Sequence, residues 1–175
     1  NDQPVITAHT AAGDVTEVAG VGSGTTEVSA TGTFTIQDLD DTDEVTLTEV
    51  YNGDLAWSDG TITADQLSAA DIQALIDGFA LDDLGANLAI DDTTNTVGSA
   101  WTYTTGVDLN FLGEGETLTL SFDVTATDDS GVAASEDSDP VTVTITITGT
   151  NDQPVITAHT AAGDVTEVAG VGSGT

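Results

Sequence analysis

Seven consecutive residues, Asp38-Leu39-Asp40-Asp41-Thr42-Asp43-Glu44, carry five carboxylates. Like charges this close repel unless water separates them or a cation joins them. Carboxylate and carbonyl oxygens suit a hard divalent ion, Ca²⁺ above all. Asp38 and Asp40 alternate, so both can face one point at a strand end. Further oxygen donors recur along the chain: Asp128 in ATDDSG, Asn151 and Asp152 in NDQP, Glu17 in VTEVAG, and Glu116 with its neighbour Glu114. A solvated turn explains any one of these groups. Their joint position at the ends of strands favours shared cations. Glu49 lies eleven residues after Asp38, the span of a helix–loop–helix calcium loop. That match fails, because Asp43 stands where the loop needs Gly and both flanks read as strand.

The whole composition bears on the same chemistry. The chain has no Lys or Arg against 31 Asp plus Glu, a formal net charge of -31. Binding to nucleic-acid phosphates needs basic side chains and is excluded in practice. Attraction to an anionic membrane surface fails for the same reason. No internal cation can pair the carboxylates, so the charge opposes compaction unless metal offsets it. Cysteine is absent, which removes disulfides, thiol chemistry and thiolate metal sites. This fits an exported, cell-surface protein that uses metal in place of disulfides. The sequence contains no signal peptide and no apolar run of membrane-spanning length.

The elements that must position these groups read mostly as strands. In Val141 to Thr148 (VTVTITIT) the aliphatic residues face one way and the threonines the other. Leu118, Leu120, Phe122, Val124 and Ala126 make a second such face. Val28, Ala30, Phe34 and Ile36 suggest a third strand, interrupted at Gly32. Shorter candidates lie near Val15 to Val18, Val45 to Val50 and Trp101 to Thr104. Alternating strands with Gly and Asp turns predict an all-β, antiparallel sandwich. One short helix breaks the pattern over Leu67 to Phe79. Ile72, Leu75, Ile76 and Phe79 share a face, and Ser68 with Asp71 forms a capping box. Leu81 to Asn95 reads as a loop and a short strand.

Asn1 to Thr25 reappears unchanged as Asn151 to Thr175. A period of 150 residues exceeds a solenoid repeat of roughly 20–50 residues and matches one independent domain. Residues 1–150 therefore read as one complete repeat, with a linker strand at 1–6 and a helix-containing insertion at about 51–99. Residues 151–175 read as the first segment of the next.

The runs TVTITITGTNDQPVIT, ATGTFTIQDLDD, WTYT and GETLTLSFDVTATDDSG together resemble the VCBS and bacterial cadherin-like repeats of giant RTX-type surface adhesins. The resemblance spans most of the unit and is weakest over Tyr51 to Ser99. It implies an immunoglobulin/cadherin-like β-sandwich with Ca²⁺ at domain junctions. By this resemblance Glu17 matches the Glu that closes the far end of a domain. Glu116, with Glu114 as rival, matches the acidic residue before the penultimate strand. Asn151 and Asp152 match the linker ligands, and Asn1 and Asp2 serve the same role for this repeat. Asp38 and Asp40 match the D-x-D pair, and Asp128 the Asp of the A-x-D turn. Thr-Gly-Thr precedes Asn151 where an acidic residue is usual, and the second copy stops short of its own D-x-D pair. An incomplete ligand set is expected at that junction.

These readings favour a calcium-rigidified extender repeat. Its partners are neighbouring repeats of the same chain, and the whole protein would carry distal adhesive domains supporting adhesion or biofilm formation. An alternative is a carbohydrate- or ligand-binding module using Trp57, Trp101 or Tyr103. Trp101 and Tyr103 read as core and Trp57 as exposed. An enzyme is least supported: His9 and His159 are the only histidines, and no Cys, Lys or Arg is available as nucleophile or oxyanion clamp. Three fates are open to Val155 to Val168: disorder, packing on a neighbour, or replacement of the matching strand in another copy.

Overall fold

A computed structural model describes residues 2–20, 26–40 and 42–166. Asn1, assigned a linker role above, lies outside them. Among the described residues, ten strands form two facing sheets, with one helix beside them. They are β1 (Val5–His9), β2 (Ala12–Thr16), β3 (Val28–Gln37), β4 (Glu44–Tyr51), β5 (Ala56–Trp57), α1 (Ala69–Ile76), β6 (Phe79–Leu81), β7 (Leu88–Ala89), β8 (Thr96–Thr105), β9 (Thr117–Asp128) and β10 (Val141–Thr148).

The β9–β10 pair is the spine. Leu118, Leu120 and Phe122 stand opposite Ile147, Ile145 and Val143, and all six are buried. Each such side chain contributes about 1.5–3 kcal/mol relative to full exposure. The threonines between them point outward, as the two-residue period requires. One sheet has the order β1-β3-β8-β6; the other runs β2-β10-β9-β4-β7, with β5 also on β9. The first strand of the chain is thus split. β1 pairs antiparallel with β3, and β2 then crosses to pair parallel with β10. With β3, β8 and β6 facing β10, β9 and β4, this is the strand order of an immunoglobulin-like sandwich.

Trp101 fixes that crossing. It projects from β8 into the core, fully buried, and its indole N–H donates to the Thr10 carbonyl at 3.1 Å, between β1 and β2. Space for the indole comes from two glycines. A Cβ on Gly32 would lie 2.4 Å from the ring, and one on Gly13 would lie 2.6 Å from it. Gly32 therefore does not interrupt β3. It stays in the strand's inward phase and gives its volume to Trp101.

The structure shifts several expected boundaries. The linker strand expected at 1–6 is β1 at Val5–His9, and the strand expected near Val15 to Val18 ends at Thr16. The strand expected at Trp101 begins five residues earlier, at Thr96, inside the span read as insertion. That span also supplies β6, an edge strand of the first sheet. The helix ends at Ile76 and Phe79 passes into β6, because Phe79 stacks on Phe122 at 4.3 Å across the core. The capping box is present, with Asp71 N–H donating to Ser68 Oγ and Ser68 N–H to Asp71.

Strand registers give the sandwich two poles, roughly 40 Å apart along the twelve residues of β9. β3 ends, β4 begins and β9 ends at the near pole, where residues 2–4 lead into β1. β2 and β10 end at the far pole, where β9 begins. Residues 151–166 extend beyond it with no regular secondary structure.

Candidate cation sites at the two poles

At the near pole, Asp38 follows β3, Asp43 precedes β4 and Asp128 closes β9. The registers of these three strands bring one carboxylate oxygen from each within 4.8 Å of the others. Asp38 and Asp128 are 1% and 3% exposed. Asp38 Oδ1 accepts from the Asp40 N–H at 3.0 Å, while Asp38 Oδ2 is buried with no hydrogen-bond donor. Asp128 Oδ1 accepts from the Ser130 N–H at 2.9 Å. Burial pushes the Asp38 carboxyl above its ordinary range, and repulsion from Asp128, Asp40 and Asp43 adds to this. Asp43 is raised by desolvation and then by Asp40, Asp128 and Asp129. The fit to Ca²⁺ is chemical. The donors are all oxygen, they converge, and one is a desolvated anionic atom with no proton donor to satisfy it.

Asp40 is not in the triad. Its Oδ2 accepts from the Asp2 N–H at 2.6 Å, so it ties the incoming chain to the pole and adds charge beside Asp38. Gln3 also anchors this segment, donating from Nε2 to the Asp137 carbonyl.

The far pole gathers Glu17, Thr150, Asp152 and Asp108. Glu17 is 4% exposed; its Oε2 accepts from the Thr150 N–H at 3.3 Å, and its Oε1 is buried without a donor. Desolvation raises its pKa first, and the charges of Asp152 and Asp108 add to this. Asp152 Oδ1 accepts from the Gly20 N–H at 2.6 Å. Glu116 points elsewhere. Its Oε2 accepts from the Gly113 N–H at 2.9 Å and from the Trp57 indole at 3.1 Å. It caps a turn and orients a tryptophan, a structural use that competes with the ligand role its family match implied. Asn151 is exposed.

Three carboxylates escaped the sequence-based set. Asp43 sits in the acidic run already noted, but only the β3–β4–β9 registers show that it, and not Asp40, joins Asp38. Asp108 gave no signal beyond following a strand. Glu49 continues the inward phase of Val45 and Leu47, so its position was legible; its Oε2 is buried without a donor and burial raises its pKa.

Trp57 is less open than expected. It is half-buried, packs edge-on against Phe111 at 5.5 Å and borders a groove of about 640 Å³ lined by Leu55, Ile62, Leu67 and Ile72. Trp101 and Tyr103 lie in the core. His9 stacks on Phe34 at 6.4 Å.

The fold and poles define an immunoglobulin-like β-sandwich with acidic ends. No family model matches the sequence, and no curated protein matches it. The resemblance to VCBS repeats thus rests on the quoted motifs. Among solved structures, AggA, the major subunit of aggregative adherence fimbriae type I from Escherichia coli, aligns over 85% of this chain and 96% of its own. The TM-score is 0.37 at 14% identity, a loose likeness; the strand order above is what defines the fold. Among the described residues no helix is long and apolar enough to cross a membrane.

Proposed function

We infer that this chain is a calcium-binding extender module of a surface adhesin, stiffened by Ca²⁺ at its poles. The observation that carries the reading is the Asp38–Asp43–Asp128 triad: three carboxylates at the ends of three strands, two of them buried, in a chain with no Lys or Arg to neutralise them. Desolvating such a cluster without a counter-charge costs folding free energy, and a bound divalent ion reverses the sign of that term. The chain enters at one pole and leaves at the other. In a tandem array the Glu17–Asp152 cluster of one repeat would then face the Asp38 cluster of the next. Calcium shared across that junction would convert a flexible joint into a stiff one, which is what a spacer holding a distal adhesive domain needs.

Calcium titration by calorimetry tests this, with Asp38→Asn and Asp128→Asn alongside the parent chain. Both variants keep a side-chain Oδ1 that accepts from a backbone N–H, of Asp40 or Ser130, and lose the charge. The expected result is a calcium-binding heat in the parent that falls at least tenfold in affinity in each variant. Equal isotherms in all three proteins would remove the near-pole site.

A further inference from the structure

One position of the repeat is held at both poles. At the far pole Asp152 Oδ1 accepts from the Gly20 N–H at 2.6 Å. Its counterpart in the identical segment, Asp2, donates its backbone N–H to Asp40 Oδ2 at the near pole, also at 2.6 Å. The two bonds use different atoms, a carboxylate oxygen in one and the backbone nitrogen in the other. A single Asp can therefore make both at once. We propose that Asp152 is a joint residue shared by two successive repeats: Gly20 of the repeat it leaves holds its carboxylate, and the Asp40 carboxylate of the repeat it enters holds its N–H. The proposal rests on the tandem-array reading above, but not on calcium.

The residues on either side leave little slack. Gly149 donates to the Glu116 carbonyl at 2.9 Å and accepts from the Gly115 N–H at 3.1 Å. A Cβ on Gly149 would lie 2.5 Å from Leu112, so the chain is pressed against the far pole there. The Thr150 N–H donates to Glu17 Oε2 at 3.3 Å. Only Asn151, which is exposed, stands between that grip and Asp152. On the entering side Gln3 donates from Nε2 to the Asp137 carbonyl, so Gln153 has the matching acceptor in the following repeat. Pro4 is buried in the first copy. Its ring fixes its own φ near about −65° and keeps the preceding Gln extended.

Both contacts of the joint are charge-assisted hydrogen bonds, the stronger class. Gly20 has a φ of 122°, a backbone conformation open to glycine and avoided by other residues. The donor for Asp152 thus sits on the residue type its bend requires. A linker of free residues lets two domains sample many directions. A linker gripped from both sides fixes one direction. The joint is then formed without metal, and calcium adds to a geometry that already exists.

The test joins residues 1–150 to the full chain 1–175, which places the Thr150–Asn151 junction between two successive repeats. Thr48 is exposed on β4. Thr48→Cys in both repeats takes spin labels at those positions alone, since the chain has no cysteine. Pulsed electron paramagnetic resonance in chelator should give one narrow distance distribution. Asp152→Ala should broaden it at least twofold, and so should Asp40→Ala in the second repeat. Asp152→Asn, which keeps an Oδ1 acceptor and the N–H, should stay close to the parent width. In the 175-residue chain, Asp152→Ala should speed hydrogen exchange at the Gly20 amide at least tenfold while the β9 and β10 amides keep their parent rates, which shows the fold intact. Equal widths for the parent and Asp152→Ala, or a parent that narrows only when calcium is added, would overturn the proposal. A parent narrow in chelator and unchanged by calcium would support the joint while removing calcium from the stiffening, so the two readings fail separately.

Discussion

Asp38 concentrates the chemistry of the near pole in one side chain. Its Oδ1 is satisfied by the Asp40 N–H, and its Oδ2 is buried with no donor. An unsatisfied buried group costs about 1–3 kcal/mol. Asp38→Asn is therefore expected to raise the metal-free melting temperature by a few degrees and to abolish most of any calcium-induced rise. Calorimetric melting with and without calcium reads both. Glu116 should behave differently, since its carboxylate serves Gly113 and Trp57. Glu116→Gln should leave calcium affinity within a factor of two, measured by titration. The acidic run pointed to Asp38 from the sequence, and the ATDDSG turn to Asp128. The exchange of Asp43 for Asp40 was not legible, because a strand-end pair looks the same until the register of a third strand fixes which carboxylate turns inward.

At the scale of elements, the split first strand depends on Trp101 and two glycines. Gly32→Ala forces a methyl to within 2.4 Å of the indole, and overpacking of this kind costs about 1–3 kcal/mol. A lower denaturation midpoint in urea is the expected result, with the slope unchanged. The long alternating strands β9 and β10 were readable because their period of two is uninterrupted. The start of β8 was not, because Thr96-Val97-Gly98-Ser99 has no apolar alternation and is held by pairing with β3. Nor was β6, because Phe79 read as the end of the helix and Leu81 as the start of a loop. Phe79 fits the helical period, but it stacks on Phe122 instead. Tertiary packing overrode local propensity there.

The molecule as a whole is a polyanion whose two ends carry desolvated carboxylates. Glu17, Asp38, Asp43 and Glu49 all have pKa values raised from 4.5 or 3.8, chiefly by burial. The folded state therefore binds protons more tightly than the unfolded chain at these groups. Metal-free stability should increase as pH falls from neutral through the raised values. Asp71, Asp91 and Asp123 are held below 3.8 by hydrogen bonds. Their contribution is present above 3.8 and is lost as pH falls through their lowered values. Melting in calcium-free buffer should thus show a temperature that rises as the pH falls from neutral through the raised carboxyl values and drops once the pH passes below 3.8. Bound calcium replaces the proton as counter-charge, so the part of this rise that comes from Glu17, Asp38 and Asp43 should disappear in its presence, leaving that of Glu49. The most direct test of the calcium-stiffened module is thermal melting of the full chain at neutral pH, in chelator and then in millimolar calcium. At a hundredfold excess over its dissociation constant each site adds about 2.7 kcal/mol, or roughly 5–10 °C for a chain of this size. A rise of that order is the predicted result. An unchanged melting temperature in millimolar calcium would contradict the account and leave the acidity as an adaptation to solubility or salt.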